Sequence, residues 1–579
     1  MPKIDVNEKL FFQLLGKRMD YAQLEETLTC AKAELDEKPD ESLPEEERVI
    51  KIELNDTNRP DLWSTAGLAR QLRTNLGGKN PDYRSLMSSP EKPAEHGNRV
   101  VTVDPGLKDI RPFMTAFVIS GKPIDEPMLL DIIQTQEKLC WNFGRKRRSI
   151  SMGVYRSAKI TWPVHYSAVD PDTTSFVPLA CEEKMTCRQI LSEHPKGKEY
   201  GWILEDAPKF PLLTDDKGEV LSMAPIINSA TLGAVKVGDS DLLVEMTGTD
   251  MPSLLLATNI VCCDFVDAGY TILPVKVEHP YETGFGKNIT APYFFQTCAS
   301  AETEAVNRLL GANLSAGEIR NALEKMGIEA EITGDAVRIT PPPYRNDFLH
   351  AVDIIEDVMI GCGISAFPPE NPKDFTIGRL SPLTQFSRKA KSLMVGLGYQ
   401  EMIFNYLGSK RDFIEKMNLS GSVQEKQITE ISNPMTENYQ FVRASVLPSL
   451  LSAEAPSGNA VYPHKIFEIG KTLIRCDTED TGTKTRQILG LLFADAEANF
   501  NAIASQISSL LYYLGCGYTV RESSDPRFIP GRQAELTVNG KAIGIFGEIH
   551  PGVLENWSIS VPCAAAEIDL ETLMELGYC

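Results

Sequence analysis

The chain has 579 residues, too many for one hydrophobic core, and this length points to about three to five domains. Apolar residues make up 42% and charged residues 24%, an ordinary balance for folded protein, and no apolar run nears the ~18 residues of a membrane span. The formal net charge of −21 argues against a general nucleic-acid binder, because phosphate contacts need a positive surface; a local basic face remains compatible with it.

In chain order, residues 4–30 place Phe11, Leu14, Leu15, Leu24 and Leu28 at spacings that predict one or two helices. The acidic stretch Glu34 to Glu47 reads as an exposed excursion. Val49 to Leu54 reads as a strand. A turn follows at Asn55 to Asp61, where Asp61 can cap the next helix, predicted from Leu62 to Leu76 and stopped by Gly77 and Gly78. Residues 79–98 are rich in Pro, Ser and charge and read as a linker. Strands are predicted at Arg99 to Val103 and Phe113 to Ile119. A helix from Glu126 to Asn142 follows, with the basic run Arg145 to Arg148 directly after it. Two helices near 301–310 and 315–326, a short hairpin and a further helix make a small third region. The remainder mixes a helix at 384–397 with many strands. The expected domains are 1–97, 98–292, 293–370 and 371–579, an α+β multidomain chain.

The cysteines number 12, with no C-x-x-C pair, and read as reduced structural thiols; the seven histidines form no H-E-x-x-H, so a zinc hydrolase is unsupported. The opening residues Met1 to Glu8 carry no apolar signal segment, and a cytoplasmic location is expected. No P-loop lysine motif and no Rossmann glycine fingerprint occur.

Acids concentrate after Pro341-Pro-Pro343. The prolines force an extended approach, Asp347 is placed to cap the next helix, and Phe348, Val352, Ile355 and Met359 mark its buried stripe. Asp353, Glu356 and Asp357 then share one helical arc, with Asp347 just upstream. Such a hard-oxygen group suits magnesium; equally, acids near a helix N-terminus simply favour its dipole.

Leu309 to Ile328, followed by Pro342 to Asp357, is similar to the B5 module of phenylalanyl-tRNA synthetase β subunits. The chain resembles the archaeal and eukaryotic type of that family over nearly its whole length. Thr57 to Leu62 with Gly67 to Arg70 looks like the B1 segment. Gln136 to Leu139, Gly144 to Arg148, Val220 to Ser229 and Glu245 to Asp250 look like the B3/B4 editing domain. Gly398 to Met402, Ser432 to Glu437, Arg443 to Pro448, Phe467 to Gly470 and Gly544 to Pro551 look like the class II synthetase-like B6/B7 core. Too little chain is present for the oligonucleotide-binding barrel and anticodon module of the bacterial form.

The resemblance implies an α2β2 tetramer with a catalytic α subunit. That complex would use ATP to charge tRNA(Phe) with phenylalanine. Asp347, Asp353, Glu356 and Asp357 would hold a magnesium ion shared with α. An editing pocket at Leu213, Ser222, Glu245 and Thr247 would hydrolyse tyrosine mischarged onto tRNA(Phe). A pocket built for phenylalanine rejects an added hydroxyl only about a hundredfold, so a second sieve has a physical purpose. Some family members carry Asp where Glu245 stands. The B6/B7 core is expected to lack aminoacylation residues: Gly515-Cys-Gly-Tyr-Thr-Val-Arg521 fits the late class II arginine pattern only loosely, sits where a helix ends, and has no F-R-x-E partner. Two other readings compete: a stand-alone hydrolase of mischarged tRNA, and a scaffold whose editing pocket is inactive. The full set of regions in family order favours the β subunit.

Overall fold

The computed structural model describes residues 2–578 and divides into two compact units, Met1–Asn371 and Pro372–Cys579. Among the described residues, no helix is long and apolar enough to cross a membrane.

The first unit opens with β1 (Lys3–Asn7), α1 (Glu8–Leu15), α2 (Tyr21–Leu28), β2 (Ala33–Glu37), β3 (Val49–Leu54) and α3 (Thr65–Asn75). Asn7 accepts the amide of Leu10 and starts α1, and Gly16 in the left-handed region (φ 75°) ends it. The strands pair in the order β1-β3-β2, so the acidic stretch begins as an edge strand rather than as a free excursion. Ser64, not Asp61, caps α3, by accepting the Gly67 amide. Asp61 is instead gripped at both oxygens by Arg59, at 2.8 Å each. Its carbonyl lies where a Cβ on residue 67 would stand, which explains the glycine there.

Residues 79–98 are not a free linker. Tyr83 is buried, donates to Asp267 at 2.6 Å and meets Tyr344 edge-on, and Ser88 bridges to Tyr293. Proline and serine set the turns there, but one aromatic and several backbone contacts strap the stretch down.

Next come β4 (Val100–Val103), β5 (Phe113–Ser120), α4 (Glu126–Lys138), β6 (Ile150–Arg156), β7 (Val164–Val169), the ribbon β8 (Ser175–Phe176) and β9 (Met185–Thr186), α5 (Cys187–Glu193), α6 (Pro195–Tyr200), β10 (Phe210–Thr214), β11 (Val220–Met223), β12 (Ile227–Asn228), β13 (Leu242–Gly248), α7 (Met251–Asp267), β14 (Thr271–Glu278) and β15 (Asn288–Ala291). The main sheet runs β12-β11-β10-β7-β4-β14-β5-β13-β6, with β15 beside β14. α4 ends earlier than expected, in a wider turn over Leu139–Phe143. The period of two divides β13 cleanly: Leu242, Val244 and Met246 pack with α7 in one core, while Leu243 belongs to the core on the other face. Glu245 and Thr247 share that second face.

The rest of this unit holds β16 (Ala299–Glu302), α8 (Thr303–Leu310), α9 (Ala316–Lys325), β17 (Glu329–Thr333), β18 (Ala336–Thr340) and α10 (Ala351–Cys362), with strand order β16-β18-β17. A Ser315–Glu318 capping box starts α9. α10 begins at Ala351 with His350 as its cap residue, so Asp347 lies outside the helix. Its buried stripe is Ile354, Ile355 and Val358, with Phe348 against it; Val352 is exposed.

In the second unit a sheet runs through Gln400–Glu401, His464–Arg475, Thr483–Ala494, Cys563–Asp569, Lys541–Ile549, Phe528–Val538 and Thr519–Glu522 in that spatial order. Phe467, Leu491 and Ile568 pack beneath the helices Pro382–Gly396 and Phe500–Tyr513; Ile488, Leu492 and Ala565 pack with the helix Leu447–Glu454 on the other face. Gly515 (φ 70°) lies between the end of Phe500–Tyr513 and the strand Thr519–Glu522, as ordinary punctuation.

Candidate functional site

Four strands position the polar cluster on the second face of the main sheet. β13 pairs with β6 so that Glu245 lies opposite Gly153 and Thr247 opposite Ser151. β10 pairs with β11 so that Leu213 lies opposite Ser222. All four expected residues, Leu213, Ser222, Glu245 and Thr247, are buried. Ser222 and Glu245 are brought together through Tyr155, whose hydroxyl lies 2.9 Å from Ser222 Oγ and 2.8 Å from Glu245 Oε1. The carboxylate is the stronger acceptor, so Tyr155 donates to Glu245 and Ser222 donates to Tyr155. Glu245 Oε2 has no partner. Burial pushes the Glu245 carboxyl up to about 7, although Tyr155 and Arg111 both act against that shift.

Thr247 belongs to a different group of contacts. Its Oγ1 accepts from Arg111 Nε at 2.9 Å, its carbonyl accepts from the same guanidinium at 2.6 Å, and Ser151 Oγ lies 2.9 Å away. Arg111 is fully buried and makes its hydrogen bonds to neutral oxygens, and burial lowers its pKa. Leu213 contributes apolar packing beside Tyr155 and Leu221.

Ser222 and Glu245 line a cavity of about 510 Å³. Met152, Met223 and Ile227 give it apolar walls, and Arg147, His194 and Lys196 also line it. Arg147 is structural: it donates to the carbonyls of Pro225 and Ile226 and its guanidinium lies 4.1 Å from the Tyr200 ring centre. Arg145, Lys146 and Arg148 are exposed. Sequence reasoning missed Tyr155, Gly153 and Arg111. The glycine two residues before Tyr155 in an otherwise buried strand was the available signal.

The four acids near α10 are placed differently. Arg345, fully buried, donates to both oxygens of Asp347 at 3.0 and 2.7 Å and to Asp357. Burial pushes the Asp347 carboxyl up, but Arg345 more than offsets this and holds it below the usual range. Asp353 accepts the amides of Leu349 and His350 and closes the start of α10. Glu356 pairs with Lys32, which also reaches Asp56 at 2.8 Å. The structure thus brings Asp347 and Asp357 together on an arginine and sends Asp353 and Glu356 elsewhere. Among the described residues, no three His, Cys, Asp or Glu side chains are grouped to hold a metal. The oxygen donors suit magnesium, but the charge of the chain's own Arg345 and Lys32 stands among them. The donor set as arranged does not fit an ion.

In the second unit a cavity of about 430 Å³ is lined by Ser445, Arg486, Asp525, Arg527, Glu567 and Asp569, among others. Arg527 is bound by Asp525 and Glu567, each at 2.8 Å. Arg443, wholly buried nearby in the same unit, is held at both nitrogens by Glu468 at 2.8 and 2.7 Å. These arginines are matched within the chain.

Three family descriptions match the chain: "Phe-tRNA synthetase beta subunit B1 domain" at residues 1–77, "tRNA synthetase B5 domain" at 299–364, and "Phenylalanyl tRNA synthetase beta chain CLM domain" at 368–570. The chain is 46% identical to the phenylalanine–tRNA ligase β subunit of Treponema pallidum and 46% identical to that of Borrelia recurrentis. Both similarities cover 99% of this chain and all of the relative. These relatives are bacterial, so chains of this form are not confined to archaea and eukaryotes. A crystal structure of an N-terminal fragment of the β subunit from Pyrococcus horikoshii matches with a TM-score of 0.57 and 36% identity, over 62% of this chain and all of the fragment.

Proposed function

This chain belongs to the phenylalanine–tRNA ligase β-subunit family, and from that premise we propose that it removes tyrosine from mischarged tRNA(Phe) while supporting phenylalanine charging by an α partner. The observation that carries the editing reading is the cavity with Ser222 and Glu245 on its wall and one buried carboxylate oxygen left free. A phenol is a strong donor, and a lone buried acceptor rewards it while leaving a bare phenyl ring unrewarded. The apolar walls accept the ring of either amino acid; the free oxygen tells them apart. Hydrolysis adds water across the ester: the acyl carbon gains the water oxygen, and the ribose oxygen leaves with a proton.

Charging is assigned to the complex, with ATP as its substrate and the α subunit as the site of chemistry. The C-terminal unit supports this scaffold role. Its buried arginines Arg443 and Arg527 are paired with carboxylates of the same unit. An α2β2 assembly in the cytoplasm is the expected context.

The acids at Asp347, Asp353, Glu356 and Asp357 are read in this chain as an ion-pair joint. Magnesium shared with α would require the partner to displace Lys32 and Arg345 from these carboxylates. Metal analysis of the complex, wild type against an Asp353→Ala and Glu356→Ala double variant, decides the matter: equal magnesium in both removes the shared-metal assignment.

Co-expression with the α chain tests the whole reading. Phenylalanine charging is expected with both chains and not with this one alone. The complex should hydrolyse Tyr-tRNA(Phe), and Glu245→Ala should slow that about 10- to 100-fold, the loss of one hydrogen bond to a charged group. Equal hydrolysis by both would leave the pocket without its assigned role.

A further inference from the structure

Glu245 does not hold its own orientation. It stands opposite Gly153 in the β13–β6 register, and side chains two apart on a strand share a face. Tyr155 therefore lies on the same face as residue 153 and folds back across it toward Glu245. A Cβ at position 153 would lie 2.1 Å from the Tyr155 hydroxyl and 2.5 Å from Glu245 Oε1. The glycine is the gap through which the two side chains meet. Tyr155 is fully buried and links Ser222 to Glu245 in a chain of two hydrogen bonds. One carboxylate oxygen is thereby occupied and the other is buried without a partner, in a residue that lines the cavity.

We propose that Tyr155 is a positioning residue: its phenol occupies Oε1 of Glu245, fixes the carboxylate against Ser222, and so presents Oε2 as the acceptor for a tyrosyl hydroxyl. The inference rests on the editing reading and names what sets its selectivity. It also makes Gly153 part of the same device, because any side chain there separates Tyr155 from Glu245.

Titratable and charged groups face the cavity beside Glu245 from several elements: Arg147, Lys196 and His194 line it, and His194 Nδ1 accepts the Lys196 amide. Tyr155 of β6 and Tyr166 of β7 are pushed above the usual phenol range by burial, Cys140 after α4 is pushed up to about 11, and Arg111 remains a cation. Among the groups buried with it, Glu245 is the one that changes charge near neutrality. Above about 7 its free oxygen offers a lone pair. Below that it carries a proton and meets the phenol with a donor, and a phenol oxygen is a poor acceptor.

The experiment uses the complex with the α chain and measures hydrolysis of Tyr-tRNA(Phe) and Phe-tRNA(Phe) from pH 5.5 to 9. Wild type should show a Tyr-over-Phe preference that falls as pH drops through about 7. Tyr155→Phe should lower that preference about tenfold, chiefly through KM for the tyrosyl ester, and move the midpoint upward, because the hydrogen bond that favours ionised Glu245 is gone. Gly153→Ala should reproduce both changes by a different route. If wild type hydrolyses Tyr-tRNA(Phe) but both variants keep its preference and midpoint, Tyr155 does not position Glu245 and the editing reading stands. Equal slowing of both esters would also overturn the inference, since it would mark a role in chemistry or folding. If wild type does not hydrolyse Tyr-tRNA(Phe), the editing reading itself fails. Should neither variant fold, the wild-type profile still decides: a preference unchanged across pH 7 overturns the proposal.

Discussion

The cavity on the main sheet of the first unit holds about 510 Å³ and the cavity of the second unit about 430 Å³. Both sit against antiparallel strands and both bury ionisable groups, yet they handle charge in opposite ways. In the second unit Arg527 is bracketed by Asp525 and Glu567, and Arg443 by Glu468. In the first, Glu245 is buried with one oxygen free and its carboxyl pushed up to about 7. Satisfied buried pairs hold a shape. An unsatisfied buried carboxylate costs stability and is expected where a ligand will complete it.

The largest effect should come from breaking the pairing. Arg527→Ala leaves Asp525 and Glu567 without their cation and should destabilise the second unit by about 3–5 kcal/mol, read from urea unfolding. A loss below about 1 kcal/mol would show that solvent reaches the cavity and hydrates Asp525 and Glu567 without their cation.

Removing the unpaired charge should act with the opposite sign. The folded-state pKa of Glu245 is raised, so the folded chain binds more protons than the unfolded chain between about 4.5 and 7, and its stability falls as pH rises through that window. Glu245→Gln should therefore gain stability relative to wild type as pH rises from about 5 to 8, by up to about 3 kcal/mol, and flatten part of that slope. Part remains, because burial also pushes Asp264, beside Arg70, up to about 7. Asp525 behaves conversely: burial opposes it but Arg527 holds its carboxyl low, so its contribution is present above the ordinary carboxylate range and lost as pH falls through the lowered value. Acid titration of unfolding, followed separately in the two units, should show these opposite signs.

The smallest effect belongs to the joint at α10. Lys32 and Glu356 are partly exposed, so Lys32→Ala should change stability by less than about 1 kcal/mol in this chain alone. A much larger loss would mean the pair is closed off more tightly than its exposure implies.

What the sequence made legible follows from the range of the forces involved. α1, α3 and β3 are read from apolar spacing and turn residues because those signals are local. Ser222 and Glu245 were reached by resemblance, since nothing near either residue announces a pocket. Tyr155 was missed because its role depends on the β6–β13 register, which brings residues 153 and 245 together across the sheet. α10 starts at Ala351, with His350 at its cap position, three residues beyond Asp347, whose carboxylate is held by Arg345. Residues 79–98 looked like a linker by composition, but Tyr83 finds Asp267, which is 184 positions away.

Arg111 has one further consequence. Its guanidinium is buried and bonded to neutral oxygens, among them Ser151 Oγ on the cavity lining, with the Glu245 charge in its field. Counter-ions cannot reach a charge so enclosed, whereas the exposed Arg145, Lys146 and Arg148 are open to them. Ionic strength should therefore separate two properties that travel together in any assay of the complex. Raising salt from ~50 to ~200 mM should weaken tRNA capture steeply, since that rests on released counter-ions, while the pH midpoint of the Tyr-over-Phe preference stays in place. A midpoint that drifted with salt would place the Glu245 carboxylate in contact with bulk water.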